Sequence, residues 1–410
     1  MIKIQIGDFK IGEDEKKAVN EVLDSGRISE GIKVKEFERL FAEYIGVKYA
    51  ITLNSGTSAL IAGLTALKYS KLLNSNKGIK IITTPLTYIA TSNAIVLSGF
   101  EPVYVDVDKE TFGITPANLK TYLKQVNNIG EYSIIIPVHL MGYPCDMDGI
   151  NKIAKDNNLL VFEDSSQAHG TIYKGKKVGS LSILSAFSFY IAHNIQAGEM
   201  GAIATNNIEI IKLIRKIKAN GRMCDCSICK RLENKCPKLI NYKGKDDFDP
   251  KFTHELIGYN FKAMEFQAAL GLTQLTKADW ITKRRSENVK YLNEGLKKFT
   301  NILKLPIFNQ NVSYLAYPIV IKDSNKISRK GLRKELEQQG IETRPLYGSI
   351  PTQQPSFKYL KNKYIDKLPN AEYLGKNAFF IGCHQYLNHE DLDYIIKVFR
   401  NILNNRGILK

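Results

Sequence analysis

"IKIITTPLTYIATSNAIVLSGFEPVYVDVD", Ile79–Asp108, is the stretch on which the fold turns. "IKIITTP" (Ile79–Pro85) and "PVYVDVD" (Pro102–Asp108) are short runs rich in β-branched residues. Such runs read as strands. Between them "LTYIATSNAIVLSG" carries a longer apolar pattern that closes on a glycine, as a helix does. The unit is therefore strand, helix, strand. Strand runs apolar on both faces belong in the middle of a sheet that is covered on both sides and mostly parallel.

The same alternation extends outward from about residue 50 to 205. Further strands are expected at "YSIIIPVHL" (Tyr132–Leu140), "LLVFEDSS" (Leu159–Ser166), "LSAFSFY" (Leu184–Tyr190) and "GAIAT" (Gly201–Thr205). Helices are expected over "NSGTSALIAGLTALKYS" and "DMDGINKIAKDNN". The pattern is that of an α/β domain. In such sheets ligands sit just past the carboxyl ends of the strands. From about residue 276 the pattern changes to a long charged helix, the apolar run "YLAYPIVIK", a helix "ISRKGLRKELEQQG", then "IETRPLY" and a last helix "HEDLDYIIKVFRNILNN". We expect a large cofactor-binding domain over 1–275, with a cysteine-rich loop at 220–240, and a smaller α+β domain over 276–410.

A chain of 410 residues with 44% hydrophobic and 24% charged residues has globular proportions and room for two domains. No apolar run approaches the roughly 20 residues of a membrane span. The first residues, "MIKIQIGDFKIGEDEKK", carry charges throughout and no apolar signal core. A cytoplasmic protein is expected, with no membrane partner. The net charge of +17 is spread along the chain rather than clustered. That distribution argues against a nucleic-acid binder and suits an anionic small substrate.

Several segments just past strand ends carry chemistry. "NSGTSAL" (Asn54–Leu60) places Ser-Gly-Thr at a helix start; it reads as an ordinary cap or as an anion site built on free N–H groups. Tyr88 follows a strand and either stacks on a flat ring or belongs to the core. "VFEDSSQAHG" ends a strand with Glu163 and Asp164, and an acid there needs a partner or caps the following turn. His169 reads as a hydrogen-bonded structural histidine. "AFSFYIAHN" offers Ser188 and His193 at another strand end. "ELIGYNFKAMEFQAALGLTQL" adds a Gly-Tyr-Asn turn before an amphipathic helix.

Taken in order, these segments resemble the sugar aminotransferase family of pyridoxal-phosphate enzymes, which act on nucleotide-linked 4-keto sugars. "SGTSAL", "PVHLMGYPCDMDGI", "EDSSQAHG", "GEMGAIAT", "IGYNFKAMEFQAALGLTQL" and "TRPLY" carry the resemblance from about residue 30 to the C-terminus. It implies an aspartate-aminotransferase-like α/β fold: a mostly parallel seven-stranded sheet with a smaller C-terminal α+β domain. It also implies a homodimer with sites between subunits. Position by position, Gly56, Thr57 and Ser188 would hold the cofactor phosphate, and Tyr88 would stack on the pyridine ring. Asp164 would pair with the ring nitrogen, Gln167 would approach the ring hydroxyl, and Asn260 would reach the phosphate of the neighbouring subunit's cofactor. Where the family usually has Gly-Glu-Gly-Gly, this chain has Met200 in "GEMG".

The position five after the Ser188-type serine is, in ordinary members, the lysine that bonds the cofactor. Here it is His193, and no lysine occurs from Val178 to Ile211. An imidazole cannot form the stable imine that a primary amine forms with an aldehyde, but its ordinary pKa of about 6.5 suits proton transfer. That combination resembles the 3-dehydratase branch of the family, in which pyridoxamine phosphate condenses with the sugar ketone, the histidine takes a proton from the cofactor and the C3 hydroxyl leaves. A 4-aminotransferase with another group in place of the lysine, and a non-catalytic binding protein on the same fold, are the alternatives.

Four of the six cysteines, Cys224, Cys226, Cys229 and Cys236, fall in "NGRMCDCSICKRLENKC" (Asn220–Cys236). Such clustering favours a metal over disulfides in a cytoplasmic protein. Thiolates suit zinc or an iron–sulfur cluster, while Cys-x-Cys is tight for a zinc ribbon. "GRMCDC" resembles the loop of the 3-dehydratases that carry a 2Fe–2S cluster. In that branch a further ligand lies two positions after the aspartate, where this chain has Ser166. Cys229, or Cys145, is the candidate substitute. With a cluster, electrons would come from a partner reductase; without one, an amino acid such as glutamate would aminate the cofactor.

Overall fold

The structure, a computed structural model, describes residues 2–73, 77–226, 231–244 and 246–406. Helices α1 (Glu13–Asp24) and α2 (Ile32–Ile45) precede β1 (Tyr49–Leu53). Strands and helices then alternate: α3 (Gly56–Tyr69), β2 (Lys80–Thr83), α4 (Ala90–Leu97), β3 (Glu101–Tyr104), α5 (Pro116–Leu123), β4 (Tyr132–Ile136), α6 (Met147–Asp156) and β5 (Leu160–Asp164). A small hairpin of β6 (Ile172–Tyr173) and β7 (Lys176–Lys177) leads to β8 (Leu184–Ser188) and β9 (Gly201–Thr205). The helices α7 (Ile208–Ile217), α8 (Pro237–Ile240), α9 (Glu265–Leu275) and α10 (Ala278–Leu296) follow. The C-terminal α+β region holds β10 (Leu303–Lys304), β11 (Tyr317–Ile321), α11 (Arg329–Gln338), β12 (Thr343–Pro345), α12 (Pro369–Asn377), β13 (Ala378–Ile381) and α13 (His389–Asn405).

The main sheet has seven strands in the order β1-β9-β8-β5-β4-β2-β3. Only β9 runs against its neighbours, pairing antiparallel with both β1 and β8. The connection from β8 to β9 holds no helix of the kind that carries a crossover to a parallel partner. The remaining pairs are parallel. Strand β1 is absent from the sequence expectation. The expected Tyr132–Leu140 strand stops at Ile136, because Pro137 has no N–H to give a ladder. A second, antiparallel sheet in the order β10-β11-β13-β12 organises the C-terminal region.

Helix α3 has no polar face. Residues Ser58 to Leu67 are all buried between the sheet and helices α4 and α7. Its alanines and glycines permit the close approach: a Cβ on Gly63 would lie 2.6 Å from the Phe162 ring. The N-terminal segment crosses to the C-terminal region, where Ile4 pairs in parallel with Ile341 and joins the core that includes Phe379 and Ile381. The seam between that region and the strand ends of the main sheet is where the largest set of expected site residues meets.

Candidate active site

A cavity of about 510 Å³ opens at this seam. Gly56, Thr57, Tyr88, Asp164, Gln167, Ser188 and His193 all line it, together with Ile6, Arg344 and Tyr347. Each main-sheet residue of the set lies at or just past the carboxyl end of a strand, where an open parallel sheet leaves its crevice.

One end of the cavity is the N-terminus of α3. Ser55 caps it, its hydroxyl accepting the Ser58 N–H at 3.1 Å. The first N–H groups of the helix have no intrahelical acceptor and face outward with the positive end of the dipole. Backbone and side chain approach closely here. A Cβ on Gly56 would lie 2.5 Å from Ser188 Cβ, and one on Gly201 only 2.1 Å from the Ser55 carbonyl oxygen. Glycine at both positions leaves a concave, donor-lined pocket beside the Ser188 and Thr57 hydroxyls, fit for a phosphate. Met200 does not disturb it. The residue is fully buried and absent from the positive-φ positions, and the turn's left-handed residue is Gly198 at φ 80°.

Asp164 and Glu163 leave β5 on opposite faces, as strand alternation requires. Glu163 is consumed by structure: the Gly179 and Leu181 N–H groups and the Ser182 hydroxyl donate to it, and His139 Nε2 lies at 3.1 Å. The Cys145 N–H donates to His139 Nδ1, so Nε2 holds that ring's proton. Asp164 faces the cavity and is only 4% exposed. Thr91 donates to its Oδ2 at 2.8 Å, and the Ser166 hydroxyl to its Oδ1 at 2.7 Å. Among the described residues no cation pairs with it. A buried carboxylate held only by neutral donors lacks a positive partner, and a protonated ring nitrogen in the cavity fits that vacancy. Thr91 escaped the sequence reading, although it stands in the same "PLTYIAT" as Tyr88.

Gln167 is fixed at both ends. The Met141 N–H donates to its Oε1 at 3.0 Å, and its Nε2 donates to the Tyr347 hydroxyl at 2.8 Å. Tyr347 stands edge-on to Tyr88, with ring centroids 5.9 Å apart. Tyr88 is 58% exposed, its face free for a planar group.

His193 is half buried at the β8 end. Its Nδ1 lies 2.8 Å from the Ser188 carbonyl oxygen. A carbonyl only accepts, so Nδ1 carries the proton and Nε2 keeps its lone pair. Burial pushes the imidazole down to about 4, against the pull of the Ser188 carbonyl, and the Arg285 charge pushes the same way. The ring is therefore neutral at pH 7. None of the described residues lining the cavity is a lysine. Behind His193, with ring centroids 6.2 Å apart, stands His169. It packs against Phe41, Phe187 and Phe189, and neither ring nitrogen has a hydrogen-bond partner among the described residues, contrary to the expectation of a hydrogen-bonded histidine.

Residues 9–400 match the DegT/DnrJ/EryC1/StrS aminotransferase family. The chain belongs to this family. It is 32% identical to the lipopolysaccharide biosynthesis protein RfbH of Salmonella typhimurium, over 95% of this chain and 89% of that one. It is 30% identical to the GDP-perosamine synthase of Caulobacter vibrioides, over 98% of both. Among solved structures, the Escherichia coli GDP-4-keto-6-deoxy-D-mannose-3-dehydratase with bound hydrated PLP superimposes with a TM-score of 0.83 at 29% identity, covering 97% of this chain and 99% of that one. The solved structures that this chain resembles include an aminotransferase, Helicobacter pylori PseC at 27% identity and a TM-score of 0.84, as well as this dehydratase.

In this family member Asn260 is exposed, bridged to Ala219, and does not line the cavity of its own chain. Arg222, Arg284, Arg285 and Arg344 are candidates to meet a diphosphate, and of these Arg344 lines the cavity. Arg285 is fully buried, bonded to Gln385 and to the carbonyls of Tyr314 and Leu315, and so is unavailable to one. Arg284 pairs with Glu287. Arg222 lines a second cavity of about 880 Å³, which Cys224, Cys226 and Cys236 share with many lysines and arginines. The Cys224 and Cys226 sulfurs stand 3.0 Å apart. Cys229 lies outside the described residues. Cys145 is buried against Val138, away from this cavity. Among the described residues no three His, Cys, Asp or Glu side chains are arranged to hold a metal. The described residues alone therefore do not assemble the expected ligand set. No described helix is long and apolar enough to cross a membrane.

Proposed function

We propose that the chain is a pyridoxamine-phosphate-dependent 3-dehydratase of a nucleotide-linked 4-keto-6-deoxy sugar. The observation that carries this reading is a cavity of about 510 Å³ with a neutral imidazole, His193, and no lysine among its described lining residues. Gly56, Thr57 and Ser188 would hold the phosphate, Tyr88 would cover the ring, and Asp164 would meet its nitrogen, with Thr91 and Ser166 orienting the carboxylate. Gln167 would approach the ring hydroxyl.

When bound, the cofactor supplies an amine for the sugar ketone and a ring that takes up an electron pair. The chain's own residues do the rest. His193 accepts at Nε2 the proton leaving the reacting carbon, with its ring orientation held through Nδ1 by the Ser188 carbonyl. Without an amine side chain the protein forms no covalent bond to the cofactor, so the base is free throughout the cycle. The protonated imidazole would return that proton to the C3 hydroxyl, which leaves as water.

The family also contains the 4-aminotransferase alternative. Mass spectrometry of products from a panel of nucleotide-linked 4-keto-6-deoxy sugars separates the two: loss of oxygen at C3 supports dehydration, whereas gain of nitrogen at C4 replaces it with amination. Binding without turnover would make the chain a non-catalytic binding protein.

On this reading the working unit is a cytoplasmic homodimer, each Asn260 reaching the neighbour's phosphate, and deoxysugar biosynthesis is its setting. Sedimentation tests the dimer. Running the reaction with glutamate or with a reductase identifies the electron source. Iron and sulfide assays on anaerobically purified protein test whether Cys229 completes a ligand set with Cys224, Cys226 and Cys236.

A further inference from the structure

The hydrogen-bond polarity on one wall of the cavity is fully determined. Met141 offers an N–H, so the Gln167 atom facing it is the carbonyl oxygen. The other end of the amide is then the NH₂ group, and it donates to the Tyr347 hydroxyl. Tyr347 is thereby an acceptor towards Gln167, and its own proton is unspent. Among the described residues Gln167 is the hydroxyl's only hydrogen-bond partner. Both oxygens of nearby Asp164 are already engaged by Thr91 and Ser166.

We propose that Tyr347 is a substrate-binding residue that donates its phenolic proton to an oxygen of the sugar ring substituents of the nucleotide-linked substrate. The inference deepens the function proposed above and rests on its substrate class, not on the fate of the C3 hydroxyl. Burial pushes the phenol up to about 12, so at neutral pH it is a donor. Its ring is held edge-on by Tyr88. It follows Arg344 on the same wall, whose guanidinium donates to Glu342 Oε1 at 3.0 Å while lining the cavity, so a neutral donor for sugar oxygens and a cation face the same space. Because one amide connects them, the group expected to meet the cofactor and the group proposed to meet the sugar are oriented together.

The test is calorimetric titration of pyridoxamine-phosphate-loaded protein that carries His193→Asn to stop turnover, with and without Tyr347→Phe. The ligands are the CDP-, GDP-, dTDP- and UDP-linked 4-keto-6-deoxy sugars and the matching nucleoside diphosphates. For the sugar nucleotide bound most tightly, Tyr347→Phe is expected to raise Kd about tenfold, the worth of one neutral hydrogen bond at the upper end of its range. The Kd values of the bare nucleoside diphosphate and of pyridoxamine phosphate are expected to stay within twofold. Equal weakening of sugar nucleotide and nucleoside diphosphate, or no weakening of either, overturns the proposal. So does failure of every sugar nucleotide to bind more tightly than its nucleoside diphosphate. Gln167→Leu is the companion variant: it is expected to weaken pyridoxamine phosphate and to keep more of the sugar's increment than Tyr347→Phe does, and an increment lost in Gln167→Leu but retained in Tyr347→Phe overturns the proposal. Because binding is read without turnover, amination products would remove the dehydratase reading and leave this one standing.

Discussion

Acidification distinguishes a base kept neutral by its surroundings from an ordinary histidine. With a pKa of about 4, nine-tenths of the His193 imidazole is neutral at pH 5. An unperturbed imidazole would be only about 3% neutral there. The two cases differ about 30-fold in active base at that pH, and the midpoint of the acid limb moves from about 6.5 to about 4. The assay is kcat/KM for formation of the 3-deoxy product from pH 4 to 8, measured in short incubations to stay ahead of unfolding. Arg285→Met belongs in the same experiment. Arg285 is buried without a carboxylate partner among the described residues; Met removes its charge and leaves the acceptors on Gln385, Tyr314 and Leu315 without a donor, so the variant's fold is checked by its melting curve first. Removing its charge takes away one of the influences that depress His193, so the limb should move upward. A wild-type limb near 6.5 would refute the inference that burial holds the base neutral. An unmoved limb in a folded Arg285→Met protein would refute the part assigned to Arg285.

Other consequences are as direct. His193→Asn should abolish C3 deoxygenation while pyridoxamine phosphate still binds; full turnover by that variant removes the residue's assigned role. Thr91→Val takes away the donor to Asp164 Oδ2 and should weaken cofactor binding about tenfold, read by fluorescence titration. Gly201→Ala drives a Cβ to within 2.1 Å of the Ser55 carbonyl oxygen and should lower thermal stability and cofactor affinity together; an alanine variant with wild-type affinity would mean the helix start is free to move. His169, His193 and His384 are all depressed by burial, His384 to about 3. The unfolded chain therefore binds more protons than the native one, and their stabilisation, complete above the unfolded value of about 6.5, is lost as pH falls towards 4 at about 1.4 kcal/mol per pH unit for each imidazole. Urea midpoints at pH 7, 6 and 5 should fall accordingly.

What a reader of the sequence can see here is local. The strand–helix alternation from Ile79 to Thr205, the helix His389–Asn405 and the residues just past each strand are visible because periodicity and turn residues act over a few positions. The histidine in the lysine's place is visible for the same reason: it is a matter of counting from Ser188. The Cys224–Cys236 loop was equally easy to notice, yet Cys224, Cys226 and Cys236 do not by themselves form a ligand set. Clustering along a chain does not impose the convergent geometry that a metal needs.

By itself, then, the sequence determined the alternation of strands and helices from Ile79 to Thr205, the placing of Asp164, Ser188 and His193 at strand ends, and the absence of a lysine from Val178 to Ile211. Tertiary structure alone decided which residues far apart in the chain meet there. It joined Gln167 to Tyr347, Thr91 to Asp164 and Ile4 to Ile341, and it buried Arg285 where a charged helix suggested an exposed cation. The division has a physical cause. Backbone preferences are settled by neighbouring residues, whereas these partners are chosen by packing and by the cost of leaving a buried polar group without one.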